Sequence, residues 1–287
     1  MKSLKKETGS IERVIISLAL LIVASSSMVF CQPAEQPVPV IFETDMGNDV
    51  DDALALAMLY RYKKQGLIDL KLISVNKKSL ASVQYIDVLN HHYGYPFIPI
   101  AMAPLGKDGE PEQKNFANKV FSLHKDGVVA FRSAIERHDQ IESSVTAYRR
   151  ILANSADSTV VVISVGFATN LAALLKSDPD TLSPLSGHDL VLRKVRFLSI
   201  MAGNFATPPV TEFNVVTDVP ASRIVFEQWP TRVYISPFEV GSSLRFPASH
   251  VERNFGDDKL NPVAEAYKVY IPMPYHRQTW DLTSVLF

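Results

Sequence analysis

The amino-acid sequence predicts a single α/β domain in which helices flank a central, mostly parallel sheet. Two observations lead to this fold class. Between Val38 and Ala101, short apolar runs alternate with segments of helical length in the order strand, helix, strand, helix, strand. The first run, Val38–Phe42, is apolar at every position, which is typical of a parallel strand buried on both faces. This order of elements favours right-handed crossovers that return each strand to one sheet.

The composition is that of an ordinary globular protein, since 47% of the 287 residues are hydrophobic and 21% are charged. This length suits one large domain or two small ones. The formal net charge of −1 gives no reason to expect a nucleic acid or an anionic membrane as a partner. The sequence contains no internal repeat of solenoid length and no low-complexity tract, which excludes repeat architectures.

Residues 1–31 are expected to form a signal peptide. Basic residues, Lys2 and Arg13 among them, precede the apolar stretch Val14–Ala24, which is short for a membrane span of about 20 residues. We therefore expect export, to the periplasm or outside the cell, and a mature domain over residues 32–287. Cys31 is the only cysteine, so no intramolecular disulfide can form. Lipid attachment at Cys31 is an alternative, although Phe30 stands where a small residue is usual.

The first part of the mature chain predicts three strands and two helices. Asp51 or Asp52 is expected to cap the first helix, which Gly66 ends, and Gly94 ends the second. The expected strands are Val38–Phe42, Leu70–Val75 and Phe97–Ala101, and the expected helices run from the acidic pair to Lys64 and over Leu80–Tyr93.

The second part begins with a polar stretch, Pro104–Arg137, expected to be a long loop and a helix near the opening of a ligand site. Asp218 is expected to cap a later helix, and Asp281 to cap a last one. Because the sequence stops about one turn into that last apolar helix, we expect the natural chain to continue beyond Phe287. The other expected elements are strands at Thr159–Val165, Val195–Met201 and Arg232–Ser236, and helices at Val145–Asn154, Leu171–Lys176 and Pro220–Glu227.

An acidic turn follows the first predicted strand. Its carboxylates are Glu43, Asp45, Asp49, Asp51 and Asp52. Like charges at this spacing repel one another, and a helix cap accounts for only one of them, so a bound cation is the simplest way to stabilise the group. Carboxylate and carbonyl oxygens favour a hard ion, Ca²⁺ or Mg²⁺.

Zinc sites and EF-hand calcium sites fit the sequence poorly. No cysteine cluster exists, and His91 and His92 are adjacent in a predicted helix and point apart. Val50 and Leu56 stand where an EF-hand loop that starts at Asp45 needs glycine and glutamate.

Polar residues also follow the later predicted strands. In open α/β sheets, ligands bind beyond the carboxyl ends of the strands, so these side chains are candidates for one shared site. A lone Asp or Asn at such a position is more often a cap or a turn residue than a ligand. The candidates are Asn76, Gly166–Asn170, Asn204, Glu212, Asn214 and Asp281.

Four segments, in order, resemble motifs of the inosine–uridine-preferring nucleoside hydrolase family. DMGNDVDDALAL (45–56) is similar to the family's DTDPGxDDAxA signature, and SVGFATNLAALL (164–175) to TGPLTNxAxxL. MAGNF (201–205) with TEFNVVTDVPAS (211–222) is similar to MGG followed by AEFNxxxDPxAA. TWDLTSVL (279–286) is similar to a late HDPLA-type segment. The resemblance covers nearly all of the mature chain.

The resemblance implies a single-domain fold with a Rossmann-like core, and a hydrolase that cleaves the N-glycosidic bond of nucleosides with a Ca²⁺-activated water. By position, the Ca²⁺ ligands would be Asp45, Asp52, Asp281 and the backbone carbonyl of Val165. Asp45 would also be the general base. Asp51 and Asn214 would bind the ribose hydroxyls, Asn204 and Glu212 would hold the rest of the sugar, and Asn76 would join them.

The sequence departs from the family pattern in the acidic turn. Glu43 and Met46 replace the usual Asp and Pro, and the segment Asn48–Val50 lengthens the turn by two residues. Asp49 then has no counterpart in the motif, and two interpretations remain: a carboxylate just outside the metal ligands, or an exposed turn residue.

A second departure concerns the leaving group. Trp280 stands where many members have a histidine credited with helping the base to leave, and we expect it to be a stacking residue of the pocket wall. Two alternatives therefore stay open: a hydrolase of another N-riboside, and an inactive, Ca²⁺-dependent sugar-binding homologue or fragment. The expected partner is a small-molecule nucleoside, and a homo-oligomer is compatible with the sequence.

Overall fold

A seven-stranded parallel sheet forms the middle of the folded unit, Pro37–Phe287, and confirms the predicted α/β architecture. The computed structural model describes residues 36–104, 115–208, 210–255 and 260–286. The predicted signal peptide and Cys31 lie outside these ranges, so export and lipid attachment stay predictions. Within the ranges, no helix has the length and apolar character needed to cross a bilayer.

The strands are numbered in chain order. The sheet contains β1 (Val38–Thr44), β2 (Ile68–Val75), β3 (Ile100–Met102), β6 (Glu142–Ser143), β7 (Val160–Ser164), β8 (Val195–Met201) and β9 (Arg232–Ser236), and its order is β6–β3–β2–β1–β7–β8–β9. All six neighbouring pairs in it are parallel. Two antiparallel pairs join β4 (His124–Lys125) to β5 (Val128–Val129) and β10 (Arg245–Phe246) to β11 (Arg277–Gln278).

Twelve α-helices lie within the described ranges, together with a 3₁₀ turn at His138–Gln140. They are α1 (Asp51–Lys64), α2 (Leu80–His92), α3 (Phe116–Phe121), α4 (Ser144–Ala153), α5 (Thr169–Leu175), α6 (Gly187–Lys194), α7 (Phe213–Thr217), α8 (Val219–Gln228), α9 (Phe238–Ser243), α10 (Ala248–Phe255), α11 (Pro262–Tyr270) and α12 (Trp280–Val285).

The central strand β1 explains the continuous apolar runs of the sequence. Val40 and Phe42 pack in the apolar cluster on one face of the sheet, together with Leu54 of α1. Ile41 packs in the cluster on the other face, together with Leu171 of α5. Both faces are covered by helices, so the strand is buried at every position from Val40 to Thr44.

The strand order places a switch point between β1 and β7. From β1 the chain builds the sheet outward through β2 and β3, and from β7 it builds outward in the opposite direction through β8 and β9. A crevice opens beyond the carboxyl ends of two strands at such a point, and it is where ligands bind in open α/β sheets. Thr44 ends β1 and Ser164 ends β7, so the acidic turn borders this crevice.

Three predictions about helix starts have different outcomes. Asp218 caps α8, because its side chain accepts a hydrogen bond from the backbone N–H of Ala221 at 3.3 Å. The predicted capping by Asp51 or Asp52 is wrong, because both lie inside the first turn and Val50 is the cap residue. Asp281 is likewise inside the first turn of α12 rather than its cap. In both helices the carboxylates lie inside the first turn and line the crevice instead of capping the helix.

Two predicted segments are shorter or placed differently. The third strand begins only at Ile100, because Tyr95–Ile98 forms a turn in which Phe97 is 94% exposed. The helix predicted after Pro104 exists as α3, but none of its residues lines the crevice. It instead contacts the acidic turn from the side, through a hydrogen bond from the Phe116 N–H to the Gly47 carbonyl at 3.0 Å.

Candidate active site

A cavity of about 240 Å³ opens beyond the carboxyl ends of β1 and β7. The residues that directly follow these strands, Asp45 and Val165, both line it. The predicted metal and sugar ligands line it, except Asn76 and Asn204, and none of the candidates Gly166–Asn170 is among the lining residues. The full lining is Asp45, Asn48, Asp49, Asp51, Asp52, Val165, Met201, Glu212, Phe213, Asn214, Phe238, Tyr270, Trp280 and Asp281.

The buried part of the cavity, here named the acidic floor, consists of Asp45, Asp51, Asp52, Asp281 and the backbone carbonyl of Val165. Each of the four carboxylate residues is at most 5% exposed. They converge because the turn after β1 supplies Asp45, the first turn of α1 supplies Asp51 and Asp52, and α12, which packs against α1, supplies Asp281.

Hydrogen bonds account for only part of the floor's polar atoms. Asp45 Oδ2 accepts from the Asn48 amide at 2.6 Å, and Asp51 Oδ2 accepts from the backbone N–H of Asp281 at 3.1 Å. Asp52 Oδ1 accepts from the Thr44 hydroxyl. Asp52 Oδ2 is buried and has no hydrogen-bond partner among the described residues. A buried carboxylate oxygen without a partner is costly, which makes it a strong indication of an external ligand.

Burial and mutual repulsion both act on the floor's carboxyl groups. Burial raises the pKa of Asp45 to about 6, and the Lys77 ammonium group opposes part of that rise. Burial also raises the pKa values of Asp51, Asp52 and Asp281 well above their usual range, and repulsion among the neighbouring carboxylates adds to it. Holding these groups ionised therefore requires an additional positive charge in the cavity.

The donor set fits a hard cation in its chemistry and charge. All donors are carboxylate or carbonyl oxygens, the ligands that Ca²⁺ and Mg²⁺ prefer, and one oxygen of Asp52 is unpartnered. In the part of the chain that the structure describes, however, no three carboxylate, histidine or cysteine side chains stand close enough to form a closed metal cage. The floor thus offers hard donors in an open arrangement.

Glu212 and Asn214 line the cavity from the β8 side and are fixed by backbone contacts. The Glu212 carboxylate caps α7, accepting from the backbone N–H groups of Asn214 at 2.8 Å, Gly203 at 3.0 Å and Val215 at 3.1 Å. Burial raises its pKa, and these donors oppose that rise. The Asn214 amide donates to the Val165 carbonyl at 3.0 Å, so the end of β7 and the start of α7 are held together.

Asn76 and Asn204 are not among the residues that line the cavity, and their predicted contact with the sugar stays a prediction. Asn76 is fully buried, and its amide donates to the Phe167 carbonyl at 2.9 Å, where it supports the loop after β7. Asn204 Oδ1 accepts from the backbone N–H of Ala206 at 2.9 Å in an exposed loop. Both residues follow strand ends as expected, but their side chains form hydrogen bonds with backbone groups.

The more exposed side of the cavity, here named the aromatic wall, consists of Phe213, Phe238, Tyr270 and Trp280. The Trp280 ring stacks on Phe238, with centroids 5.4 Å apart and 23° between planes. Its indole N–H donates to the Phe238 carbonyl and to the Ser242 hydroxyl, both at 3.0 Å. None of the residues lining this cavity is a histidine, over the described ranges.

Several residues of the site were not predicted from the sequence. Lys77 donates to the Asn48 side-chain carbonyl at 2.7 Å, which orients the Asn48 amide toward Asp45. Asp49 lines the cavity beside the floor and pairs with Arg277, so it is not an exposed turn residue, and its place just outside the metal ligands stays a prediction. One signal was available, because Lys77 directly follows the strand-end residue Asn76. The partner of Asp49 had none, since Arg277 is 228 residues away.

A sequence profile of one protein family matches residues 40–284 of this chain, and its description is inosine-uridine preferring nucleoside hydrolase. The match extends over more than half of the chain and includes every residue of the acidic floor. None of the curated proteins is significantly similar to the chain in sequence.

Solved structures with the same fold include nucleoside hydrolases. The inosine-uridine preferring nucleoside hydrolase from Bacillus anthracis is 17% identical, with a TM-score of 0.63, and the alignment covers 87% of this chain and 81% of that one. The purine-preferring ribonucleoside hydrolase from Gardnerella vaginalis is 18% identical, with a TM-score of 0.64 and coverages of 86% and 78%.

An effector protein has the same fold as well. The type III effector protein XopQ, in a structure with adenosine diphosphate ribose, is 20% identical with a TM-score of 0.62. The alignment covers 82% of this chain and 66% of that one, just under two thirds of its length. At identities this low, the likeness establishes the fold alone.

Proposed function

The chain belongs to the inosine–uridine-preferring nucleoside hydrolase family, and on this premise we propose that it hydrolyses the N-glycosidic bond of ribonucleosides to ribose and a free base. The observation that supports the proposal is the acidic floor at the switch point of the sheet. Its four carboxylates are buried, and one oxygen of Asp52 has no hydrogen-bond partner among the described residues. A site of this kind stabilises positive charge, which is what cleavage of a glycosidic bond develops.

We assign the cation of the floor as Ca²⁺, held by Asp45, Asp52, Asp281 and the Val165 carbonyl. A carbonyl oxygen has two lone pairs, so the hydrogen bond from Asn214 leaves Val165 able to act as a ligand. When bound, Ca²⁺ supplies the charge that orients a water molecule and lowers its pKa.

Asp45 is the proposed general base, because it follows β1 directly and its carboxylate faces the cavity. The Asn48 amide holds Oδ2 and leaves Oδ1 to accept the proton of the attacking water. The water attacks C1′ on the sugar as the N-glycosidic bond breaks through an oxocarbenium-like state. The remaining carboxylates of the floor stabilise the positive charge that develops on the ring.

Asp51 and Asn214 are the proposed ligands of the ribose hydroxyls, with Glu212 beside them. Asp51 has one carboxylate oxygen committed to the Asp281 backbone, and the other is left for a sugar hydroxyl. Asn204 and Asn76 stay outside this set, because their side chains support neighbouring backbone groups.

A second candidate substrate class is an N-riboside other than a nucleoside. It is favoured by the aromatic wall, where Trp280 lines the cavity and no lining residue in the described ranges is a histidine. Such a wall stacks on a leaving group but supplies no histidine to protonate it. Leaving groups that depart without a proton would therefore be the most reactive.

The test is a panel of purine and pyrimidine ribonucleosides together with a nitrophenyl riboside, each assayed for release of the base or phenol with Ca²⁺ and with a chelator. Ca²⁺-dependent release from nucleosides supports the proposed function. Release from the nitrophenyl riboside alone, an O-riboside whose nitrophenolate leaves without an acid, shows that the site does not protonate a leaving group, which is the property on which the second candidate rests. Binding of ribose without cleavage of any compound would contradict both and leave a sugar-binding homologue.

A further inference from the structure

The inserted part of the acidic turn makes a specific contact with a distant part of the chain. Asp49 Oδ1 accepts from Arg277 Nε at 2.8 Å, and Asp49 Oδ2 accepts from Arg277 Nη2. The side chains are 26% and 18% exposed, respectively, so the pair is largely shielded from water. A bidentate contact of this kind fixes the plane of the guanidinium group as well as its position.

The guanidinium group lies against two residues of the aromatic wall. Its central carbon is 5.2 Å from the centroid of the Tyr270 ring and 5.0 Å from that of the Trp280 ring. Arg277 Nη2 also donates to the Tyr270 hydroxyl at 3.2 Å. Cation–π contacts at these distances are attractive, so the ion pair holds both rings toward the cation.

Arg277 itself is not among the residues that line the cavity, whereas Tyr270 and Trp280 are. Any effect of Arg277 on a bound ligand must therefore pass through these two rings. A second contact also fixes the position of Trp280. Gly241 lies so close to the Trp280 backbone and ring that a Cβ on residue 241 would collide with them.

We propose that the Asp49–Arg277 ion pair is a positioning device that holds Trp280 and Tyr270 in place as the wall against which a planar aromatic leaving group lies. This inference rests on the proposed function, because it assigns the leaving-group side of the same cavity. It also gives the two-residue insertion a role: the lengthened turn places Asp49 at the edge of the cavity, where its carboxylate lies beside the floor and pairs with Arg277. Arg277 is a positioning residue that acts on the leaving group through the two rings it contacts.

The direct measurement is the fluorescence of Trp280. The sequence has two tryptophans, and the other, Trp229, is 9% exposed in the apolar cluster on the opposite face of the sheet. Trp229→Phe therefore leaves Trp280 as the only indole. If this background folds poorly, the difference between the spectra of the wild type and Trp280→Phe reports the same ring.

In the Trp229→Phe background, we compare Arg277→Met, Arg277→Lys and Asp49→Asn. Arg277→Met and Asp49→Asn are each expected to shift Trp280 emission to longer wavelength and to increase its quenching by acrylamide. Arg277→Lys keeps the charge but cannot form the bidentate contact, so its change is intermediate. The double variant changes no more than Arg277→Met alone, because both substitutions break one contact.

Arg245→Met is the matched control, since Arg245 is an exposed arginine on β10, the strand that pairs with β11. It should leave Trp280 emission and quenching unchanged. Unaltered emission and quenching in Arg277→Met, with the fold intact by circular dichroism, would overturn the proposal.

Kinetics then separate the positioning role from the proposed function. Arg277→Met is expected to raise the KM for inosine by roughly two- to fivefold, the range of a partly exposed cation–π contact, with a smaller change in kcat. Inhibition by D-ribose should stay unchanged, because the sugar side is untouched. If the wild type cleaves no riboside, the proposed function fails, and the emission measurements still decide whether the pair positions Trp280.

Discussion

The acidic floor and the aromatic wall occupy the same cavity but differ in origin. The floor residues Asp45 and Val165 directly follow adjacent strands, and Asp51 and Asp52 lie in the first turn of the next helix. The wall is assembled from α7, α9, α11 and α12, which lie far apart along the chain. The strand ends therefore determine the chemistry of the site, whereas the surrounding helices determine what the site accepts.

The two regions also differ in charge and exposure. The floor residues are buried carboxylates whose pKa values are raised by that burial. The wall residues are rings, of which Phe213 and Phe238 are 40% and 38% exposed. We therefore expect floor substitutions to act on turnover and wall substitutions to act on affinity for the leaving group.

The largest effect is expected at Asp45. Asp45→Asn removes the proton acceptor and one carboxylate of the floor, so kcat for nucleosides should fall by about 10²- to 10⁴-fold, the usual contribution of a general base. Base release measured by absorbance gives the rate, and thermal unfolding shows whether the fold is kept. A kcat within threefold (about 0.7 kcal/mol) of the wild type would place the base elsewhere and remove the proposed division between floor and wall.

Arg149 lines neither the floor nor the wall, so its substitution should change the stability of the fold without changing catalysis. Arg149 is 2% exposed, and its guanidinium donates to both Asp180 oxygens and to the carbonyls of Ser183 and Leu185. Arg149→Met should lower the free energy of unfolding by about 3 kcal/mol, because buried carbonyls lose a charged donor. Chemical denaturation measures this loss.

The neighbouring Arg150 is the matched control for that substitution. Its pair with Glu142 is 39% and 34% exposed, so Arg150→Met should cost less than about 1 kcal/mol. Both variants should keep the KM of the wild type while they are folded. Equal losses in the two variants would mean that the burial of Arg149 adds nothing to its hydrogen bonds.

The wall is tested by Trp280→Ala. Loss of the stacking ring should raise the KM for a nucleoside about tenfold, since stacking of a base on an aromatic side chain is worth roughly 1–3 kcal/mol. Inhibition by D-ribose, measured in the same assay, should not change, because ribose contacts only the floor side. A parallel loss of ribose inhibition would show that floor and wall are one unit rather than two.

The smallest effect is expected in acid. The hydrogen bond from Arg149 lowers the pKa of Asp180 to about 2, from an ordinary value near 3.8. Its stabilising contribution is therefore present above the unfolded pKa and is lost as the pH falls toward 2. The difference in stability between the wild type and Arg149→Met should shrink between pH 5 and about pH 2. A difference that stays constant over this range would contradict the assignment.

The sequence predicted the fold and the floor for a physical reason. Buried parallel strands are apolar throughout and end in polar residues, so both the sheet and the carboxylates after β1 are visible in the linear order of residues. The strands Val195–Met201 and Arg232–Ser236 have the predicted bounds. Capping was predicted wrongly at Asp51, because a side chain that faces a ligand crevice can have the same sequence signal as a cap.

The wall and the supporting contacts could not be predicted to the same extent. The pairing of Asp49 with Arg277 depends on how the β10–β11 pair and α11 lie against the acidic turn, and no local pattern encodes that approach. Asn76 illustrates a different difficulty. Its position after β2 is predicted correctly, but the direction of its side chain is set by a hydrogen bond to the Phe167 carbonyl, which is distant in sequence.

The most direct test of the account is a calorimetric titration of the metal-free protein with Ca²⁺, comparing the wild type, Asp52→Asn and Asp49→Asn. Asp52 has the unpartnered oxygen of the floor, whereas Asp49 belongs to the same turn but pairs with Arg277. We expect one Ca²⁺ per chain in the wild type, a large loss of affinity in Asp52→Asn, and a small change in Asp49→Asn. Absence of Ca²⁺ binding to the wild type, or equal affinity in wild type and Asp52→Asn, would contradict it.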